Sequence, residues 1–83
     1  MITTHTLFAI QNIFREVFDD DSLVVTPETG GKDIDGWDSV AQVKLVLAIE
    51  EQFGFQFSED EVSSIRSVGG FVEAVERRKN RAK

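Results

Sequence analysis

A strongly apolar segment at residues 40–53 constrains the fold of this chain more than any other feature. Its apolar side chains recur at helical spacing, on a face much wider than an ordinary amphipathic stripe. These side chains are Val40, Val43, Leu45, Val46, Leu47, Ile49 and Phe53. Gly54 follows as a residue suited to a left-handed helix end, with Phe55 as its hydrophobic contact. We therefore predict a helix that ends at residue 53 and is contacted by its neighbours from several sides.

A first helix is predicted before this segment, because apolar residues recur at helical spacing over residues 7–18. Thr4 or Thr6 is suited to its N-cap position. Three consecutive aspartates at 19–21 should end the helix near residue 18, since negative charge is unfavourable at a helix C-terminus.

Two further helices are predicted after the apolar segment. Ser58 and Glu61 match a capping box, which indicates a short helix carrying Val62. Ser67 is suited to capping a last helix, and Gly69-Gly70 indicates a tight entry into it.

Residues 19–38 form a long connection that is rich in turn residues and aspartate. Four apolar side chains are expected to hold it against the core, namely Leu23, Val24, Val25 and Ile34. The pattern predicts an all-α fold, a small four-helix bundle with a long first loop and a short third helix. We expect one domain at residues 1–76 and a basic C-terminal tail at 77–83.

The charge distribution excludes several functional classes. Nine basic and fifteen acidic residues give a net charge of −6, and five of the bases lie in the tail. Residues 1–76, the acidic body, therefore carry −11. Such a surface repels nucleic-acid phosphates and favours cationic partners. With no signal peptide or membrane-spanning run evident, we expect a soluble cytoplasmic monomer.

The residues for catalysis or metal binding are scarce. The chain has no cysteine and a single histidine, which leaves little for a thiolate or imidazole metal site. Gly30-Gly31-Lys32 departs from a phosphate-binding loop, because Asp33 stands where a serine or threonine is needed. No nucleophile elbow surrounds Ser39, so the sequence predicts a protein that is not an enzyme.

Ser39 nevertheless has two open interpretations. It begins a capping box with Gln42, so it is suited to a purely structural role at the start of the apolar helix. A hydroxyl at a helix N-terminus is also suited to carrying a phosphate ester, beside unpaired backbone N–H groups and the positive end of the helix dipole. Spacing alone does not choose between these interpretations.

Three segments together resemble the acyl carrier proteins of fatty acid and polyketide synthesis. Asp38-Ser39-Val40 is similar to the family's Asp-Ser-Leu motif, residues 43–54 resemble its second helix, and residues 58–75 resemble its third and fourth helices. The resemblance implies that a phosphopantetheinyl transferase esterifies Ser39 with 4′-phosphopantetheine from coenzyme A. The thiol of that arm would then carry acyl groups as thioesters, with Asp38 and Val40 flanking the attachment point.

The resemblance also implies an acyl groove and partner face. We expect this face to comprise Trp37, Val43, Val46, Leu47 and Ile65. The partners would be acyl-loading and acyl-transfer enzymes of fatty acid, polyketide, or specialised lipid or saccharide acylation. The alternative is a helical protein-interaction module in which Ser39 is only a helix cap.

The chain departs from the family at the start of the apolar helix. Val40 replaces the usual leucine, and Ala41, Gln42 and Lys44 occupy positions that are often acidic. These departures indicate partners that dock less by charge than is usual in the family. Trp37, just before the motif, is predicted to anchor the loop on the core.

Overall fold

The computed structural model describes the backbone of residues 4–81 and the side chains of residues 5–78. It contains four α-helices within these residues: α1 (Thr4–Val17), α2 (Ser39–Phe53), α3 (Glu59–Ser64) and α4 (Val68–Arg81). This confirms the predicted all-α fold with three long helices, one short one and a long first loop. None of these helices combines the length and hydropathy needed to span a bilayer.

A single apolar core lies between α1, α2 and α4, with α1 packed against both of the others. Its largest fully buried side chains are Phe14 from α1 and Phe71 from α4, whose ring centroids lie 6.2 Å apart in an edge-to-face arrangement. Leu45 and Ile49 supply the buried face of α2. Burial of such side chains contributes about 1.5–3 kcal/mol each, which is the main force holding the helices together.

The prediction that Thr6 could be the N-cap of α1 is wrong. This residue lies inside the helix and is fully buried, so it is not the N-cap. Its hydroxyl donates a hydrogen bond to the Glu76 carboxylate of α4. The prediction failed because a threonine that is partnered across a helix interface looks like a cap in the sequence.

The long loop after α1 is held to the core at three apolar residues rather than four. Val25 and Ile34 are buried and Leu23 is half-buried, whereas Val24 is 70% exposed and that prediction is wrong. The backbone N–H of Val25 donates to the buried side-chain oxygen of Gln11, 2.9 Å away. With its neighbour fixed inward, Val24 points outward because adjacent side chains of a non-helical segment face opposite sides.

Residues 27–30 of the loop join the first turn of α4. The N–H of Val68 donates to the Thr29 carbonyl at 2.8 Å, and the N–H of Gly69 donates to the Pro27 carbonyl at 2.9 Å. A Cβ atom on Gly69 would lie only 2.8 Å from the Pro27 carbonyl oxygen. The predicted tight entry at Gly69-Gly70 is thereby confirmed, and it brings the loop close to the start of α4.

The outer face of α2 is exposed, although the sequence predicted that neighbouring segments would contact this helix from several sides. Val40, Val43 and Leu47 are 63%, 54% and 59% exposed, so that prediction is wrong. A bundle of this size has too few elements to cover both sides of a helix, and apolar side chains are left on the surface. Gly54 does end α2 in the left-handed conformation with φ 75°, as predicted.

The short helix α3 has no buried residue and is held by polar contacts. The predicted capping box between Ser58 and Glu61 is present. Arg78 of α4 donates to both Glu61 carboxylate oxygens at 2.6 and 2.8 Å and to the Gln56 carbonyl at 3.0 Å. Its guanidinium also lies 5.0 Å from the centre of the Phe55 ring. The basic segment therefore begins as part of α4, and its Arg78 binds Glu61 of α3.

Candidate functional site

Ser39 is the first residue of α2, and its side chain is exposed. The N-cap is Asp38, whose Oδ1 accepts a hydrogen bond from the N–H of Ala41 at 2.9 Å. Of the two interpretations left open for Ser39, the capping role is therefore wrong. Because Asp38 satisfies the helix end one position earlier, no partner among the described residues holds the Ser39 hydroxyl. The alternative that treated Ser39 as a helix cap loses its structural basis.

The turn before Ser39 sets which side chains face inward. Gly36 adopts φ 90°, a left-handed backbone that favours glycine, and its carbonyl accepts from the N–H of Asp38 at 2.9 Å. Trp37, half-buried, then packs edge-on against Phe14 at 5.2 Å and stacks on Phe71 at 6.4 Å between ring centroids. The predicted loop anchor is confirmed, and it supports the motif that follows.

An open cleft of about 1130 Å³ lies beside Ser39. Its walls come from loop residues 28–33, from the start of α2 and from residues 62–67. The apolar part of the lining consists of Trp37, Val43, Val62 and Ile65. The charged part consists of Glu28, Lys32, Asp33, Asp38 and Arg66, all of them exposed. The cleft therefore combines a mostly apolar lining with a charged rim.

The predicted groove residues do not all meet in this cleft. Trp37, Val43 and Ile65 line it, together with Asp38 and Ser39. Val46 is 8% exposed and belongs to the core, and Leu47 borders a second groove at the far end of α2. Val40 is exposed next to Ser39. The three residues of the Asp38-Ser39-Val40 motif thus stand at the edge of the cleft and of the exposed face of α2.

Comparisons with known proteins identify the family. Residues 9–75 match the family model described as the phosphopantetheine attachment site. Two proteins named acyl carrier protein, from Helicobacter pylori strains ATCC 700392 / 26695 and G27, are each 37% identical over 68 residues. Each alignment covers 81% of this chain and 86% of the relative. The chain belongs to the acyl carrier protein family.

A solved acyl carrier protein has the same fold. The solution NMR structure of the holo protein from Geobacter metallireducens matches with a TM-score of 0.83 and 38% sequence identity. The match covers 94% of this chain and 93% of that one. The chain is accordingly a carrier rather than an enzyme, and its cofactor is phosphopantetheine. Since the sequence contains no cysteine, the thiol for thioester formation has to come from that cofactor.

Gln42 is a feature of this acyl carrier protein that sequence reasoning misassigned. Instead of closing a capping box, its side-chain oxygen accepts from the Trp37 indole N–H at 2.8 Å. Its amide nitrogen donates to the carbonyls of Val62 and Ile65 at 3.3 and 3.2 Å. A long amide between Ala41 and Val43 was the available signal, but its partners in and after α3 are distant in the sequence.

The α3 wall of the cleft carries the most strongly perturbed carboxyl among the described residues. Hydrogen bonds from Arg78, and then from the backbone N–H of Ser58, lower the pKa of Glu61 from 4.5 to about 2. The same contact raises the pKa of Arg78 above its usual value. Within residues 4–81 no cluster of histidine, aspartate or glutamate is arranged to hold a metal ion. The contact between Glu61 and Arg78 therefore holds α3 against α4.

Proposed function

We propose that Ser39 carries the 4′-phosphopantetheine arm of this acyl carrier protein. The observation that supports the assignment is an exposed hydroxyl at the first position of α2, next to an aspartate that performs the capping. A phosphopantetheinyl transferase can thus approach the hydroxyl without breaking the helix end. The stability of α2 and the modification of Ser39 depend on different side chains.

The surroundings of Ser39 suit an esterified phosphate. The N–H groups of Ser39 and Val40 have no backbone acceptor in the described chain, because the first N–H groups of a helix lack one. They lie at the positive end of the helix dipole. Lys32 and Arg66, which line the same cleft, add positive charge near the phosphate. These groups offset the repulsion from the Asp38 carboxylate.

The attachment reaction is a phosphoryl transfer. The Ser39 oxygen would attack the diphosphate phosphorus of coenzyme A that bears the pantetheine, forming a new P–O bond. The bond to the second phosphate breaks, and adenosine bisphosphate leaves as the serine proton passes to a base of the transferase. When attached, the group supplies a thiol that holds an acyl chain as a thioester.

The partner enzymes would dock on the exposed face of α2. Val40, Val43 and Leu47 share this face at helical spacing directly after Ser39, and Lys44 lies beside them. An enzyme that draws the arm into its active site has to cover the surface around Ser39. We infer that such enzymes present an apolar patch to this face, with the delivered acyl groups serving fatty acid, polyketide, or specialised lipid or saccharide acylation.

We place this activity in the cytoplasm, with the protein acting as a monomer. The net charge of −6 opposes self-association of the free carrier.

Trp37, Val43 and Ile65 would hold the proximal part of the phosphopantetheine arm in the cleft. Leu47 would extend the docking face on α2.

Intact mass tests the attachment site. The protein is incubated with coenzyme A and a broad-range phosphopantetheinyl transferase, and we expect a gain of one phosphopantetheine group. Ser39→Ala should abolish the gain, whereas Ser63→Ala, an exposed serine on the same cleft, should retain it. No gain with several transferases, or a gain that persists in Ser39→Ala, would contradict the proposal.

The docking face has its own test. Leu47→Asp should lower the kcat/KM of the transferase for this protein, because a charge interrupts the apolar face while the core stays intact. Gln52→Asp, at an exposed position of the same helix, serves as the matched control. Equal rates for the two variants would contradict an apolar docking surface.

A further inference from the structure

Gln42 joins three parts of the molecule through one side chain. It leaves α2, accepts from the Trp37 indole of the loop, and donates to two carbonyls at the C-terminal end of α3. Both amide hydrogens and one oxygen lone pair are thereby used. The side chain therefore crosses the gap between α2 and α3 at the inner side of the cleft.

The residues adjoining this bridge belong to the apolar core. Val46 lies one turn further along α2 and is 8% exposed, Ile65 is equally buried, and Phe71 is fully buried. An acyl chain that passed between α2 and α3 would have to displace the Gln42 amide. The Val62 and Ile65 carbonyls and the indole N–H would then lose their partners at a partly buried position, which is unfavourable.

We propose that Gln42 is a specificity residue, a hydrogen-bonded gate that keeps acyl chains out of the space between α2 and α3. This inference rests on the proposed attachment of the arm to Ser39. With the gate closed, the cargo stays in the outer cleft, among Lys32, Asp33, Ser63 and Arg66. The lining of that cleft is mostly apolar but the cleft is open to solvent, so it covers a short acyl group better than a long saturated chain.

Loading with acyl groups of different length tests the gate. A broad transferase attaches butyryl- or decanoyl-phosphopantetheine from the corresponding acyl-coenzyme A, and intact mass verifies each product. For the unaltered protein we expect the same Tm with either group, and the same NMR position for the Trp37 indole N–H. In Gln42→Ala, the decanoyl form should melt several degrees above the butyryl form, because the chain gains a buried site.

Further variants separate the gate from other effects. Gln42→Met keeps the bulk of the side chain without its hydrogen bonds, and it should behave as Gln42→Ala does. Gln52→Ala, at an exposed position of α2, should behave as the unaltered protein. Each comparison is made between two loaded forms of the same variant, so a loss of stability common to both does not affect it.

Three results would overturn the inference. The first is a higher Tm of the unaltered protein with the decanoyl group than with the butyryl group. The second is a shift of its Trp37 indole N–H signal between the two loaded forms. The third is a Tm of Gln42→Met that does not depend on the length of the acyl chain. Failure to load any acyl group on Ser39 is a separate result, visible by mass, and it contradicts the proposed attachment together with this inference.

Discussion

The ion pair between Glu61 and Arg78 is expected to stabilise the attachment of α3 to α4. The change Glu61→Gln removes the charge while leaving a side-chain oxygen that can still accept from the N–H of Ser58 at the capping box. The bidentate contact with Arg78, at 2.6 and 2.8 Å, is weakened. The variant therefore isolates the charge from the helix cap.

The size of the effect follows from the pKa of Glu61, which falls from 4.5 to about 2. At about 1.4 kcal/mol for each pKa unit, the whole shift corresponds to roughly 3 kcal/mol. The Glu61 and Arg78 side chains are 19% and 24% exposed, so solvent screens part of the interaction. We expect Glu61→Gln to lower the free energy of unfolding by about 1–2 kcal/mol near neutral pH.

The pH dependence has a definite sign. Because the pKa of Glu61 is lower in the folded protein than in the unfolded chain, the stabilisation is present above about pH 4.5. It should be lost as the pH falls from there towards about 2. The difference in stability between the unaltered protein and Glu61→Gln should shrink over the same interval.

Urea unfolding followed by far-UV circular dichroism measures these free energies. A double-mutant cycle combines Glu61→Gln with Arg78→Gln and yields the coupling free energy of the pair. Glu59→Gln is the matched control, since Glu59 is exposed in the same first turn of α3. A coupling free energy near zero at neutral pH, or one that stays constant through the acidic range, would refute the reasoning.

Three further predictions concern stability. Asp38→Ala should lower the free energy of unfolding by about 1 kcal/mol through loss of the N-cap. Ser39→Ala should change it by less than about 0.5 kcal/mol. A larger loss for Ser39→Ala than for Asp38→Ala in urea unfolding would contradict the assignment of Asp38 as the cap. Gly69→Ala should cost about 1–3 kcal/mol, because its Cβ would lie 2.8 Å from a backbone oxygen, whereas at Gly31 the nearest atom is 4.0 Å away. Similar melting temperatures for Gly69→Ala and Gly31→Ala would count against that close approach. The acidic body should melt at a higher temperature in moderate salt or magnesium than at low ionic strength, and an unchanged Tm would show that its self-repulsion is negligible.

Features that depend on neighbouring residues in the sequence were predictable. Gly54 ends α2 because the backbone conformation needed there is unfavourable for a residue with a Cβ. The capping box of Ser58 and Glu61 closes within four residues and needs nothing from the rest of the molecule. Helix positions and the resemblance around Ser39 rest on the same kind of local pattern.

Features that depend on distant partners were not predictable. Asp38 and Ser39 are both good capping residues, and which one caps depends on the turn before them, where Trp37 packs on Phe14 and Phe71. Gln42 matches a capping box in the sequence but finds its partners at Trp37 and α3. These outcomes follow from the packing of the whole chain, which residue spacing does not encode.

The sequence by itself determined the number and order of the helices, the acidity of the body and the family motif at Ser39. These properties follow from helical periodicity, charge and local end signals, which act over a few residues. Only the tertiary structure decided that Ser39 is left exposed, that one side of α2 faces solvent, and that Gln42 bridges to α3. Those three depend on which surfaces remain uncovered after the core has formed, and coverage is a property of the assembled bundle.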